Sequence, residues 1–497
     1  MELILHLFPY KYMEYEKVLL NREIELLLPN AECHQQGRDI YVTSGEDYSP
    51  SCIERLTYVE SYTIGNLTYK TIQGRLESGD SEKHKNKQFT RYSTNGLHEY
   101  KGKFNPQIVH GIINLLGVKK GDVVVDPFCG SGTTMLECAH LGIESFGIDI
   151  NPFAVFLSNA KLASLKINTE NVKKQADRIV KSLADGNYEE EIIPSDSRGV
   201  YLQHWIPENT LLKLEHIRRL TSEFENESKQ FFTIVASDLI RDYSNQEPKD
   251  LRIRKRISPF PEIPFEVCFE KNIEKYLHRI ELVQNEVDIQ TDNKAYLADL
   301  RNMDSATVPT ANMAITSPPY ATALPYIDTQ RLSLVWTGLI SSDEIRSLEA
   351  ELIGSREFQG QEKKELEKAL SINSSDLPAV VYTLVSNMKE ALSEKDGFRK
   401  QAVPRLMYRY FADMKTSFAA AHSLITDKGS YALVVGHNKT KLGEGTFHID
   451  TPYLLTVLAE MEGWKTKEIM PLQTYKRYGI NAKNAINQES LIILERN

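Results

Sequence analysis

Residues 123–151, VVVDPFCGSGTTMLECAHLGIESFGIDIN, constrain the fold of this chain more than any other stretch. The apolar run at 123–125 has the β-branched composition of a buried strand, and Gly130 and Gly132 mark a turn after it. Beyond the turn, Met135, Leu136, Ala139 and Leu141 recur at a helical interval and can face a sheet. A second apolar run then ends at Asp149. Strand, turn, helix and strand at this spacing predict a βαβ unit and with it a parallel sheet. Glycines at the first strand-to-helix turn let backbone approach a ligand closely, and a carboxylate ending the next strand can accept hydrogen bonds from both hydroxyls of a ribose. The segment is expected to hold a nucleoside-containing cofactor.

What the turn lacks narrows that cofactor. A phosphate-binding loop needs a lysine and a hydroxyl after the second glycine, where Thr133, Thr134 and Met135 stand, and a dinucleotide fingerprint needs a third glycine at Met135. Asp126-Pro127-Phe128 precedes the glycines and sets a carboxylate where a pyrophosphate would be repelled. A cofactor with a cationic amino-acid end suits that charge, and S-adenosylmethionine is the common one. The Gly-x-Gly tripeptide alone also fits a purely structural turn.

At 497 residues the chain exceeds one ordinary domain, so a main domain of about 200 to 250 residues with additions is expected. Its 41% hydrophobic and 26% charged residues are the composition of a soluble globular protein. The opening MELILHLFPY has no basic leader, and His6 and Pro9 break its apolar run, so neither a signal peptide nor a membrane span is expected. The five cysteines are scattered and lack metal-ligand spacing, which points to a reducing compartment and a cytoplasmic protein with no metal. A net charge of -9 argues against a nonspecific coat on nucleic acid. Two basic patches stand out locally: Lys83, Lys85, Lys87 and Arg91, and the denser Lys249, Arg252, Arg254, Lys255 and Arg256. Each can contact phosphates or simply form a solvated face.

Patterning divides the chain into segments. Residues 1–75 read as a small α+β module, and 76–97 as a polar, lysine-rich linker. Residues 98–164 form the cofactor-binding half of a main domain, entered by a helix starting at Pro106 that sets Phe104 beside the glycine turn. Residues 165–290 carry helical spacing at 172–183, 209–220, 230–240 and 271–283, an inserted lobe suited either to covering a target or to structural elaboration. Residues 291–497 complete the domain, with strands at 294–298, 312–316 and 430–435, a charged helical segment at 341–403, and a helix carrying Met407, Phe411, Met414, Phe418 and Ile425. The terminal runs 467–472 and 490–494 fit a hairpin joined by the loop around Tyr478. The expected architecture is an α/β, doubly wound, Rossmann-like sheet of seven strands with a helical insertion and the N-terminal module.

A second motif, Thr316-Ser317-Pro318-Pro319-Tyr320, comes directly after the strand at 312–316. That strand should lie beside the first, so that both loops open at one carboxyl edge, where doubly wound sheets bind ligands. Consecutive prolines fix the backbone and remove two amide donors. Ser317 and the Pro318 carbonyl can then accept two hydrogen bonds from one planar amino group, and Tyr320 offers a face to the ring that carries it. These are the needs of methyl transfer to an exocyclic amine, whose lone pair is delocalised into its ring and must be positioned and polarised to react. A base within a duplex would have to be flipped out to reach such a loop.

DPFCGSGTT, GIDINP and TSPPY together resemble the S-adenosylmethionine-dependent amino-methyltransferases that modify DNA bases, and Ser-Pro-Pro-Tyr is similar to the N4-cytosine group among them. The resemblance covers about 100–161 and 296–336, with support at 431–438. It implies Asp126, Phe128, Gly130 and Gly132, with Thr133 beside them, around the methionine end of S-adenosylmethionine. It further implies Asp149 on the ribose, Asp299 near the adenine, Phe104 packing on the cofactor, and Ser317, Pro318, Pro319 and Tyr320 as the catalytic loop. DNA is the implied partner, with cognate restriction or defence proteins beside it. Most N4-cytosine enzymes place the catalytic loop before the cofactor half; here the order is reversed, which leaves N6 of adenine open as the target. The opening FPYKYMEYEKVLLNREIELL resembles the N-terminal part of THUMP-containing tRNA guanine-N2 methyltransferases, so RNA remains an alternative, as does a nucleic-acid-binding protein without catalysis.

Other residues read as ordinary. Cys129 is a small packing residue, because no Pro-Cys dipeptide of the C5-cytosine type is present. Ser131 lacks the Gly-x-Ser-x-Gly context of a hydrolase nucleophile. His437 and Asn438 read as a turn or as substrate contacts, and Arg331 and Trp336 as packing or substrate contacts.

Overall fold

The computed structural model describes residues 3–45, 47–78, 87–321, 325–358, 360–473 and 488–497. Lys83 and Lys85 of the first basic patch, and the loop around Tyr478, lie outside these residues.

The N-terminal segment forms β1 (Leu3–Leu7), β2 (Glu32–Gln36), β3 (Asp39–Thr43), β4 (Val59–Ile64) and β5 (Leu67–Lys70). They make a five-stranded sheet in the order β2-β3-β1-β4-β5. The large sheet collects β6 (Val123–Asp126), β7 (Glu144–Asp149), β8 (Asn293–Leu297), β9 (Ala311–Thr316) and β10 (Ile425–Gly436). After a two-stranded ribbon, β11 (Asn438–Leu442) and β12 (Gly445–Ile449), it is finished by β13 (Trp464–Gln473) and β14 (Gln488–Arg496). Its seven strands run β13-β14-β10-β9-β6-β7-β8. Strands β10, β9, β6, β7 and β8 are mutually parallel; β14 runs antiparallel to β10 and pairs antiparallel with β13, the expected terminal pair, so that β13 at the edge points the same way as the central five. The chain winds from β6 outward through β7 to β8, then crosses back to β9 on the other side of β6. The winding direction therefore reverses between β6 and β9, a Rossmann-like arrangement whose switch point opens at the carboxyl ends of those two strands.

Alternation along the strands sends neighbouring side chains to opposite faces. Val124, Ile315, Ala432, Val434 and Leu491 share one buried cluster with helix Pro106–Leu115 and the N-terminal module. Val125, Ala314, Tyr431, Leu433 and Ile492 face the other way, against helices Phe398–Leu424 and Thr451–Met461. The N-terminal module thus shares its core with the large sheet. Glu23 is buried in that joint, where its carboxylate accepts hydrogen bonds from Thr57 Oγ1 at 2.5 Å and Asn114 Nδ2 at 2.8 Å. Residues 87–97, read as polar linker, are packed as well: Phe89, Tyr92 and Leu97 are buried, their apolar bulk outweighing the polar residues between them.

The inserted lobe comprises helices Thr169–Ala184, Ser197–Trp205, Glu208–Thr221, Asn226–Ile240 and Phe265–Glu286. Its core is continuous with Phe153, Leu157, Ile327 and Trp336, on the two helices that leave the rim of the sheet. Trp336 is therefore a packing residue, and Arg331 pairs with Asp328 on its own helix at 2.8 Å. The charged segment forms helices Ile345–Glu351, Glu362–Ile372 and Ala379–Glu390. The helix expected around Met407 begins earlier and runs through Pro404, because Met407, Tyr408, Tyr410, Phe411 and Met414 are all buried and their packing outweighs the local cost of the proline. Among the described residues no helix is long and apolar enough to cross a membrane.

Candidate active site

Two glycines shape the turn after β6. Gly130 sits at φ +48°, and a Cβ there would lie 3.3 Å from the Tyr100 ring. Gly132 sits at φ +80° and begins helix Thr133–His140; a Cβ there would come within 2.8 Å of Ser158 Oγ. Ser158 in turn donates to the Gly130 carbonyl at 2.9 Å, and the fully buried Lys161 donates to that of Ser131 at 3.3 Å. The turn is held from behind by helix Pro152–Ser164. Gly132→Ala is expected to lower stability by about 1–3 kcal/mol, from left-handed strain and the clash with Ser158. The denaturation midpoint measures it, and an unchanged midpoint would contradict this packing.

Asp126 connects the turn to the second motif. One carboxylate oxygen accepts from Thr134 Oγ1 at 2.6 Å, and the other accepts from Thr316 Oγ1 at 2.6 Å and from the Phe128 amide at 3.1 Å. The carboxylate that sequence reasoning set at the end of a ligand is thus a bolt between β6, the glycine-turn helix and the start of the Ser317–Tyr320 loop. Burial pushes it up to about 6, although these three donors oppose the shift. Asp149, at the end of β7, accepts from the amides of Gly130 and Asn151, both at 2.9 Å. Burial raises it likewise to about 6.

The two loops open into one cavity of about 890 Å³, counting the part continuous with solvent. Of the residues singled out in the sequence, Phe104, Asp126, Phe128, Gly130, Thr133, Asp149, Asp299, Ser317 and Pro319 line it. Gly132, Pro318 and Tyr320 do not. Gly132 acts from behind the turn and Pro318 is buried. Tyr320 points elsewhere: its hydroxyl donates to Glu489 Oε1 on β14 at 2.9 Å. The next residue is pinned too, since Asn438 Nδ2 donates to the Ala321 carbonyl at 2.7 Å. Asn438 therefore opens the ribbon and anchors this loop, a long-range role that neither of its sequence readings contained. His437 faces Asp450 at 3.3 Å.

Several lining residues gave no sequence signal. Tyr100 and Tyr326 stack with centroids 6.3 Å apart and close the side nearest the glycine turn. Leu352 and Ile353, from the charged segment, supply an apolar wall beside Asp299. Arg301 holds the Asp299 carboxylate in a two-pronged grip at 2.9 and 2.8 Å and also pairs with Asp413 at 3.0 Å. Cys129, behind the turn, has its thiol pushed well up by burial, as befits packing rather than a nucleophile.

This lining suits a nucleoside with an amino-acid tail. The Asp149 carboxylate lines the cavity, the glycine turn leaves room that a Cβ would narrow, and the buried Thr133 Oγ1 has no hydrogen-bond partner among the described residues. Leu300, Leu352 and Ile353 line the cavity together with Asp299 and offer an apolar surface to a flat ring.

The chain is similar to several known methyltransferases. Residues 44–160 match the family model described as DNA methylase, of the N6/N4 type. The chain is 26% identical over 300 residues to the Type II methyltransferase M.MvaI of Kocuria varians, covering 54% of this chain and 63% of that one. It is 24% identical over 368 residues to the Type II methyltransferase M.BsoBI of Geobacillus stearothermophilus, covering 68% and 69% respectively. A shorter match, 40% identical over 52 residues, links 10% of this chain to 16% of the tRNA (guanine(10)-N2)-dimethyltransferase of Methanothermobacter thermautotrophicus. The chain thus spans less than two thirds of the length of the first of these relatives.

Proposed function

We propose that this chain, which belongs to the amino-methyltransferase family, transfers a methyl group from S-adenosylmethionine to the exocyclic amine of a flipped DNA base, with N4 of cytosine as the favoured acceptor. One observation carries the reading: the glycine turn and the Ser317–Pro319 loop line a single cavity at the switch point of the sheet. When bound, the cofactor supplies a methyl group made electrophilic by its sulfonium. Gly130, Thr133 and Phe128 surround the methionine end, Asp149 accepts from the ribose hydroxyls, and Asp299 with Ile353 flanks the adenine. Phe104 packs on the cofactor, and Asp126 fixes the distance between turn and loop.

Ser317 Oγ on the cavity wall and the backbone carbonyl of the adjoining Pro318 accept hydrogen bonds from the two N–H groups of the target amine, which draws electron density onto nitrogen and aims its lone pair at the methyl group. Pro319 keeps the loop rigid, and Tyr320, anchored on Glu489, braces the loop next to the target ring. The DNA methylase family model and the relatives named Type II methyltransferases support DNA as the substrate; a cognate restriction or defence protein is the partner that this reading proposes. N6 of adenine is the nearest alternative, because both bases present a ring-conjugated amine. The short match to a tRNA guanine-N2 dimethyltransferase supports a second reading, an RNA substrate.

Incubation with methyl-labelled cofactor and either genomic DNA or total tRNA, followed by digestion and mass spectrometry of the nucleosides, tests all of these. N4-methylcytosine in DNA is the expected product. N6-methyladenine would move the target base, label only in tRNA guanine would favour the second reading, and no label in either polymer would refute the activity.

A further inference from the structure

The densest basic run of the chain lies on a structured projection of the helical lobe. The backbone reverses at an antiparallel bridge between Gln246 and Lys255, closed by hydrogen bonds from Glu247 N to the Arg254 carbonyl at 2.8 Å and from Arg256 N to the Asn245 carbonyl at 2.7 Å. The buried Glu247 carboxylate then accepts from the amides of Ile257 and Ser258, both at 3.1 Å, and so fixes the turn beyond the bridge. Arg256 is occupied internally. Its guanidinium donates to the carbonyls of Ser244, Asp242, Arg241 and Pro259, and lies 4.5 Å over the Phe260 ring.

Side chains with no internal role surround this frame. Lys249 and Lys255 are exposed and have no ion-pair partner among the described residues, and Arg254, though paired with Asp250 at 3.0 Å, remains 70% exposed. Between them and the following prolines stands Ile257, 93% exposed on a backbone that Glu247 clamps, with Phe260 at 45% and Ile263 at 46%. A rigidly presented aliphatic side chain flanked by cations demands a partner that offers anionic and apolar surface together. A nucleic-acid duplex does so, with phosphates beside the faces of stacked bases.

The position agrees with that chemistry. Gln246 Nε2 donates to the Asp328 carbonyl at 3.4 Å. Asp328 lies in the first turn of helix Tyr326–Thr337, whose first residue lines the cavity. The projection is thus tied to the element that comes after the Ser317–Tyr320 loop.

We propose that this projection is a duplex-docking element in which Lys249, Arg254 and Lys255 contact phosphates and Ile257 enters the base stack next to the extruded nucleotide. The proposal rests on the reading of the chain as an enzyme of DNA. Its test uses the full chain, genomic duplex DNA and labelled S-adenosylmethionine. Ile257→Ser is expected to raise KM for duplex about tenfold while cofactor affinity, measured by calorimetry, and melting temperature stay unchanged. Replacing Arg254 and Lys255 together by alanine is expected to reduce the slope of log affinity against log salt by about 2. If the wild-type chain methylates DNA and both variants match it in KM and salt slope, the proposal is overturned, and the projection is then a contact for another protein. If the wild-type chain transfers no methyl group to DNA, the underlying reading fails first and the proposal falls with it.

Discussion

Tyr320→Ala is expected to lower kcat for methyl transfer by about two to three orders of magnitude, the usual scale for losing a group that orients a reacting centre, while cofactor affinity stays within about threefold. The two effects separate because of where the side chain lies. Tyr320 is not part of the cavity lining, and its hydroxyl reaches Glu489 on β14 rather than any cofactor-facing group. Its removal therefore leaves the turn around Gly130 intact and loosens the loop that presents the amine. Tyr320→Phe keeps the ring and loses only the hydrogen bond to Glu489, so it should retain most of the rate if the ring face matters and little of it if the anchor matters. A tenfold or greater loss of cofactor affinity in Tyr320→Ala, or an undiminished kcat, would contradict the assignment.

Asp149→Ala is expected to act on the other side of the reaction. Two hydroxyl donors to a carboxylate contribute about 1.5–3 kcal/mol each, so the Kd for S-adenosylmethionine should rise by roughly a hundredfold to ten-thousandfold by calorimetry. Part of that loss comes from the turn, since Asp149 also accepts from the Gly130 amide. The wild-type chain should show a pH dependence of the same origin. Burial raises Asp149 from its ordinary 3.8 to about 6. The ribose hydroxyls need the ionised acceptor, so affinity should improve as pH rises through about 6 and level off above it.

Stability of the unliganded fold should run the other way. The buried site favours the neutral acid, so stability is greatest below pH 3.8 as far as this group is concerned, and is lost as pH climbs toward about 6. Asp126 shifts over the same range. Asp149→Asn distinguishes the two: a pH step in affinity that survives this substitution belongs to Asp126.

Much of the site was legible because its signals are local. The strand at 123–125, the Gly130–Gly132 turn and the carboxylate ending the next strand lie within one βαβ unit, whose geometry comes from hydrophobic period and turn chemistry. The Ser-Pro-Pro-Tyr loop was equally visible, and its position came from the rule that parallel strands of a doubly wound sheet open at one edge. The pairing of those loops through Asp126 was not visible, because its partner Thr316 is 190 residues away in the chain. The same holds for Glu489 and Asn438, which hold Tyr320 and Ala321 from 169 and 117 residues away. Tyr100, Tyr326 and Ile353 reach the cavity from segments whose local pattern suggests only packing. Phe89, Tyr92 and Leu97 were a readable hint that residues 87–97 are packed, masked by the lysines just before them. The helix Ser197–Trp205 escaped because its buried residues, Gly199 and Leu202, give it almost no apolar stripe.

The central claim is that one cavity holds a methyl donor between the glycine turn and the Ser317–Pro319 loop. A crystal structure of the chain with S-adenosylhomocysteine tests it most directly. The expected result is a ribose whose hydroxyls hydrogen-bond Asp149, an amino-acid tail against Gly130 and Thr133, and a sulfur facing Ser317 across the space where an amine would enter. A ligand bound elsewhere on the sheet, or one whose sulfur faces away from Ser317 and Pro319, would contradict the account.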